Sequence, residues 1–137
     1  MSDNVFLDSN ILVYCYSTTD ARKQTIAREL SGMDNVHIST QVLNETTNVL
    51  AKKYLITWVE LTNLITDFEG NFIVQTLTPF EIKKACAIAG QYGFSFFDSL
   101  MIASALECHC TILYSEDMNN GQIINKTLKI VNPFELK

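Results

Sequence analysis

Four acids in this sequence stand where strongly apolar segments begin or end. Asp8 closes the run "NVFL" and precedes "ILVY"; Asp98 heads "SLMIASALEC"; Asp117, with Glu116 directly before it, follows "TILYS". Glu45 lies within "TQVLNETTNVLAKKY". Each alone has an ordinary explanation, since an Asp in a first helical turn is favoured by the helix dipole and a helical Glu is usually solvated. Brought together in a cleft, carboxylates repel unless a proton or a cation neutralises them. Hard oxygen ligands without Cys or His partners suit Mg²⁺ or Mn²⁺, ions that keep several waters and commonly partner substrate phosphates. No glycine-rich phosphate loop, Ser–His–Asp set or dinucleotide fingerprint competes with that reading. The implied chemistry is metal-assisted phosphodiester hydrolysis.

The elements that must position these acids read as alternating strands and helices. "NVFLD" is a continuous apolar run of the kind a buried parallel strand needs, and "SNILVYCYS" begins a short helix. "TTDARKQTIAREL" reads as a helix with Thr19 or Asp20 as cap and Gly32 past its end. "NVHIS" is a second strand, carrying His37 as a structural residue, and the segment holding Glu45 is a helix by its apolar spacing. Thr57 and Glu60 read as a capping box opening "WVELTNLITDFE", with Gly70 as its stop. "NFIVQTL" is a third strand. "TPFEIKKACAIAGQYG" has Thr78 as cap, Pro79 in the first turn, Glu81 completing the box and Gly93 at the exit. "FFDSLMIASALEC" is a helix apolar on nearly every side; "TILYS" and "LKIVN" are fourth and fifth strands. Strands separated by helices predict a mainly parallel central sheet flanked by helices, an α/β fold in three layers. Ligands of such sheets bind beyond the carboxyl ends of the strands, where Asp8, Glu45, Asp98 and Asp117 can meet.

At 137 residues, the chain is expected to form a single domain over 1–137. A 47% hydrophobic and 18% charged composition excludes disorder. No apolar run reaches the roughly 20 residues of a membrane span. The acidic "MSDNVFLDSN" lacks the basic start of a signal peptide, so a cytoplasmic protein is expected. Cys15, Cys86, Cys108 and Cys110 show no disulfide spacing, and "ECHCT" offers adjacent residues that do not wrap one tetrahedral ion. A net charge of −5 argues against broad electrostatic binding of nucleic acid, but not against a nuclease whose metals carry the positive charge.

"FLDSNILVY" resembles the opening motif of PIN domains, an acid followed two residues later by Asn at the end of the first strand. "NE" at Asn44–Glu45, the start of "FFDSLMIASA", and "LYSED" follow that family's order of acids, and "YSEDMNNGQIINKTLKIVNPF" resembles the tail of a VapC-like subgroup. The resemblance implies a Mg²⁺/Mn²⁺-dependent ribonuclease, commonly the toxin of a type II toxin–antitoxin pair. It carries the catalytic and metal-binding roles onto Asp8, Glu45, Asp98 and Asp117, with Asn10 and Ser115 as orienting residues. The family's fourth acid follows a Ser or Thr by two positions, which favours Asp117 after Ser115 and leaves the adjacent Glu116 as the alternative. The expected partners are RNA, a cognate antitoxin and a second copy of the chain. The dimer would use Trp58, Leu61 and Leu64, read as exposed in "YLITWVELTNLI". A non-cleaving binding module and a phosphohydrolase of small phosphoesters are the other classes compatible with these residues.

Overall fold

The computed structural model describes residues 3–135. Three strands are short and nearly all apolar: β1 (Val5–Leu7), β2 (Val36–Ser39) and β4 (Ile112–Tyr114). With β3 (Ile73–Gln75), β5 (Ile123–Ile124) and β6 (Leu128–Val131) they form one six-stranded sheet in the order β3-β2-β1-β4-β6-β5. All pairings are parallel except β5 with β6. The predicted fold class therefore holds, with the addition of β5. This two-residue strand pairs Ile123 with Lys129 and Ile124 with Leu128 as an edge hairpin. It carries no periodic signal of its own, because two residues cannot display alternation.

Among the described residues, six helices flank the sheet: α1 (Ser9–Tyr14), α2 (Ala21–Ser31), α3 (Thr40–Lys53), α4 (Trp58–Asn71), α5 (Pro79–Tyr92) and α6 (Phe96–Glu107). Asp20 is the cap of α2, accepting from the Lys23 amide. Helix α5 starts with the reciprocal Thr78–Glu81 capping box and ends at Gly93, whose φ of 80° is the left-handed conformation that glycine adopts without strain. It packs on α6, tied by a Lys84–Glu107 ion pair at 2.7 Å. As the sequence predicts, α6 is buried along Ser99–Ala105. Its end explains "ECHC": Cys108 caps the helix, His109 turns left-handed with φ 56°, and the Cys110 amide reaches back to the Ala105 carbonyl. This tripeptide is a helix stop.

Three expectations require correction in α4. Gly70 does not end it; the helix runs to Asn71, because Phe68 and Phe72 stack at 5.8 Å and both are buried. Thr57 caps the Glu60 amide, but the Glu60 carboxylate takes the Thr57 hydroxyl and not its amide, so the box is one-sided. Leu61 is buried and Leu64 half-buried, leaving Trp58 as the exposed member of the three. Leu61, Leu64 and Phe68 recur at helical spacing and turn to the core. The exposed apolar residues here are instead Leu55, Trp58 and Val59.

The core joins both faces of the sheet through Phe6, Leu7, Ile11, Leu12, Ile38, Met101, Ile102 and Leu113, all at most 2% exposed. Among the described residues, no helix is long and apolar enough to cross a membrane.

Candidate active site at the carboxyl ends of β1 and β4

Strand order supplies the position. From β1 the chain moves outward to β2 and β3, then returns across to β4 on β1's other side. The crevice beyond β1 and β4 is thus the topological switch point, where open α/β sheets bind ligands. Asp8 follows β1 directly, and Ser115, Glu116 and Asp117 follow β4. The register Leu7↔Tyr114 brings these two strand ends level.

Asp8 is 5% exposed and held from three directions. Its Oδ1 accepts from the Ser9 amide at 2.7 Å; its Oδ2 accepts from Ser115 Oγ at 2.8 Å and lies 3.4 Å from Asn10 Nδ2. Asn10 then bridges the strand ends. Its Nδ2 donates to Asp117 Oδ2 at 3.1 Å, and its Oδ1 accepts from the Glu116 amide at 3.3 Å. Ser115, fully buried, also accepts from the Asp117 amide at 3.3 Å. Asn10 and Ser115 therefore each touch both Asp8 and Asp117, as expected for residues that orient acids.

Two residues not singled out in the sequence complete the web. Ser9 Oγ donates to Glu45 Oε1 at 2.8 Å and lies 3.4 Å from Asp8 Oδ1. A hydroxyl has one proton to give, so the shorter bond to Glu45 is the donated one. Gln41 Nε2 donates to Glu45 Oε2 at 3.1 Å. The i, i+4 spacing of Gln41 and Glu45 on α3 was the available signal for the second; for Ser9 the sequence carries none beyond its place between Asp8 and Asn10.

Asp98 occupies the first turn of α6 on the Ser95 cap. Burial pushes the Asp98 carboxyl up; the hydrogen bond with Ser95 opposes this, and the charges of Asp117 and Glu45 add to it. Burial pushes the Asp8 carboxyl up to about 6, against the Ser115 and Ser9 hydrogen bonds, with Glu45 and Asp98 reinforcing the rise. The four predicted acids thus feel one another across four separate elements. Glu116 points elsewhere: it accepts from Tyr14 Oη at 2.7 Å and pairs with Lys23. Between the two adjacent acids, it is Asp117 that Asn10 ties to Asp8.

Among the described residues, no three His, Cys, Asp or Glu side chains converge tightly enough to enclose an ion as they stand. Mg²⁺ does not require that closure, since it retains most of its waters and takes one or two carboxylates directly. The donor set is all oxygen, and Asp8, raised mainly by burial and further by the charges of Glu45 and Asp98, is a group that a cation relieves. The residues fit a hard divalent ion.

An α/β sheet with a carboxylate cluster at its switch point defines the class of protein. The PIN domain model matches residues 5–120, and the chain belongs to the PIN domain family. Solved structures agree on the fold. A toxin–antitoxin complex from Klebsiella pneumoniae aligns at 18% identity with TM-score 0.71, covering 97% of this chain and all of that one. VapC20 of Mycobacterium tuberculosis, a sarcin–ricin loop cleaving toxin, aligns at 18% identity with TM-score 0.66, covering 80% and 87%. FitAcB from Neisseria gonorrhoeae aligns at 15% identity with TM-score 0.61, covering 96% and 99%. No curated protein matches the sequence.

Proposed function

We propose that this PIN-domain protein is a Mg²⁺- or Mn²⁺-dependent ribonuclease and the toxin of a toxin–antitoxin pair. The observation that carries the reading is the convergence of Asp8, Glu45, Asp98 and Asp117, from four elements, on one crevice. Asp8, Glu45 and Asp98 would hold the ion, with Asp117 contributing directly or through water. When bound, such an ion supplies an activated water and stabilises charge at a phosphodiester undergoing hydrolysis. Ser9, Asn10, Gln41 and Ser115 fix the acids before any substrate arrives, so little reorganisation is needed. The family and the structural likeness to VapC20 support RNA as the substrate. RNA chemistry and four free cysteines suit a cytoplasmic protein.

The likeness to the toxin–antitoxin complex from Klebsiella pneumoniae supports a protein inhibitor. A cleft of clustered carboxylates on a chain of net charge −5 is best masked by an Arg or Lys that competes with the ion, borne on a segment that covers the groove beside it. The test has two arms. Purified protein is assayed on structured and unstructured RNAs with Mg²⁺, Mn²⁺ or EDTA, and the chain is expressed alone and with the adjacent open reading frame. Metal-dependent cleavage and relief of toxicity by the neighbour are expected; harmless expression of an active enzyme alone would remove the toxin role.

A homodimer belongs to the same reading. Leu55, Trp58 and Val59, within five positions of one another, are 81%, 72% and 73% exposed, and exposed large apolar residues grouped in this way support an interface. Trp58→Glu is expected to convert a dimer to a monomer of unchanged fold. Light scattering at micromolar concentration decides it, and a monomer mass for the unmodified protein would overturn it.

A further inference from the structure

Beside the acids lies a cleft of about 270 Å³, lined in part by residues that the proposed hydrolysis does not use. Ser9, Asn10 and Asp117 belong both to it and to the carboxylate web, so the two are continuous. Its other walls are Val13, Tyr14, Val49, Lys53, Tyr54 and Glu116, whose carboxylate is already held by Lys23 and Tyr14. We propose that this cleft is the subsite for one unstacked nucleotide of the RNA next to the cleaved phosphate. Tyr54 supplies the ring on which the base stacks, and Lys53 the cation for the adjoining phosphate. The proposal rests on the ribonuclease reading above and adds the form of its substrate.

Charge makes such a subsite necessary. Four carboxylates on a chain of net charge −5 repel a polyanion, so affinity must come from a local cation and from contacts that are not ionic. Lys53 is exposed and, among the described residues, forms no ion pair, unlike Lys23 and Lys84. Its Nζ lies 5.6 Å from the Tyr54 ring centroid. That ring position holds a cation against an aromatic face without consuming its charge.

The two tyrosines are not equivalent. Tyr14 is already engaged, with Lys23 over its ring at 4.9 Å, Phe134 edge-on at 4.9 Å, and its hydroxyl on Glu116. It is a fixed wall. Tyr54 is half-buried, and Lys53 is its one ring partner among the described residues. Tyr54 is placed by a turn that runs against local preference. Its amide and that of Ile56 both reach the Leu50 carbonyl, which leaves Leu55 at φ 53° and 81% exposed. A helix exit in the left-handed region normally takes glycine. A branched residue held there is an outlier of the kind found around functional sites.

The cleft's size sets the substrate form. A volume of about 270 Å³ is at the small end of ligand pockets. That is the scale of one splayed nucleotide, which fits RNA recognition in loops and single strands, where bases stack on aromatic side chains.

The experiment compares Tyr54→Ala, Tyr54→Phe and Lys53→Ala with the unmodified protein. One readout is cleavage of a single-stranded oligoribonucleotide in Mn²⁺. The second is anisotropy of the same labelled oligonucleotide in EDTA, which needs neither metal nor turnover. Tyr54→Ala should raise KM and weaken metal-free binding by about 5- to 100-fold, the range for one stacked base, with the effect carried by KM. Tyr54→Phe should restore both. Lys53→Ala should flatten the dependence of log binding on log salt by about 0.7, the value of one phosphate contact on a single strand. Sealing the oligonucleotide in a duplex should abolish cleavage. Unchanged KM and binding in Tyr54→Ala, or damage in Tyr54→Phe equal to that in Tyr54→Ala, overturns the subsite while leaving an active nuclease. Binding that depends on Tyr54 in a protein that cleaves no RNA upholds the subsite and removes the ribonuclease reading. A protein that neither cleaves in Mn²⁺ nor binds the oligonucleotide in EDTA removes both.

Discussion

Asp8→Asn is expected to remove metal-dependent RNA cleavage and, at the same time, to raise the melting temperature of the metal-free protein. The two effects share one cause. Asp8 is buried, and its folded-state value near 6 lies above the ordinary 3.8 mainly because burial disfavours the charge. That gap is worth about 3 kcal/mol against the folded state at neutral pH. The sign follows from the direction of the shift. A carboxyl with a raised folded-state value contributes stability that is present below 3.8 and lost as pH rises through about 6. Asn keeps the shape and one acceptor oxygen, enough for the Ser9 amide, while its NH2 faces Ser115 Oγ and gives up the bond Asp8 Oδ2 accepted there; it carries no charge. Allowing for imperfect hydrogen bonding by the new amide, a gain of about 1–2 kcal/mol remains. For a chain of this size that is roughly 3–8 °C in Tm. Activity should fall by more than about a hundredfold, since even residues that only support metal ligands are worth 10–100-fold.

Calorimetric melting in EDTA between pH 4 and 8, comparing the two proteins, isolates the term. His37, buried with neither ring nitrogen partnered among the described residues and lowered by burial, works in the opposite sense and loses stability as pH falls below 6.5. It is common to both proteins and cancels in the difference. Asp98→Asn should share the loss of activity with a smaller gain in stability, because Asp98 is only half-buried. Wild-type cleavage rates in both variants, or a lowered Tm in Asp8→Asn, would show that these acids are structural.

Asp8 was legible in the sequence because an acid between "VFL" and "ILVY" has nowhere to go but a strand end. The caps of α5 were legible because Thr78, Pro79, Glu81 and Gly93 act within their own turns. What the sequence hid depends on distant partners. Ser9 becomes a bridge only when α3 delivers Glu45 from 36 positions away. The choice between Glu116 and Asp117 turns on α2, which offers Lys23 to the one, and on Asn10, which holds the other. The fate of Leu61 and Gly70 was set by the burial of Phe68 and Phe72, and the strand Ile123–Ile124 exists only through its pairing with Leu128 and Lys129. Motifs fixed by neighbours in sequence were readable; contacts fixed by neighbours in space were not.

The second large effect is expected from the divalent ion. Mg²⁺ or Mn²⁺ should stabilise the wild-type protein by about 2.7 kcal/mol when present at a hundred times its Kd, by mass action on the folded state alone. The physical source is the cluster itself, where Asp8 and Asp98 are raised by burial and by the charges of neighbouring acids that a cation offsets. A pH dependence follows with a definite sign. An ion must displace the proton from Asp8, whose folded-state value is about 6. Near pH 7 that carboxyl is mostly ionised; near pH 5 only about a tenth of it is, so the apparent Kd should weaken roughly tenfold between them. Melting curves with each ion at pH 5 and pH 7, alongside titration calorimetry, measure both quantities. Asp8→Asn should lose most of the stabilisation and its pH dependence together, while Glu116→Gln should keep both, because the Glu116 carboxylate is committed to Lys23 and Tyr14. Demonstrated binding of the ion with unchanged melting would count against a site in the folded protein. An effect that survives in Asp8→Asn would move that site away from the end of β1.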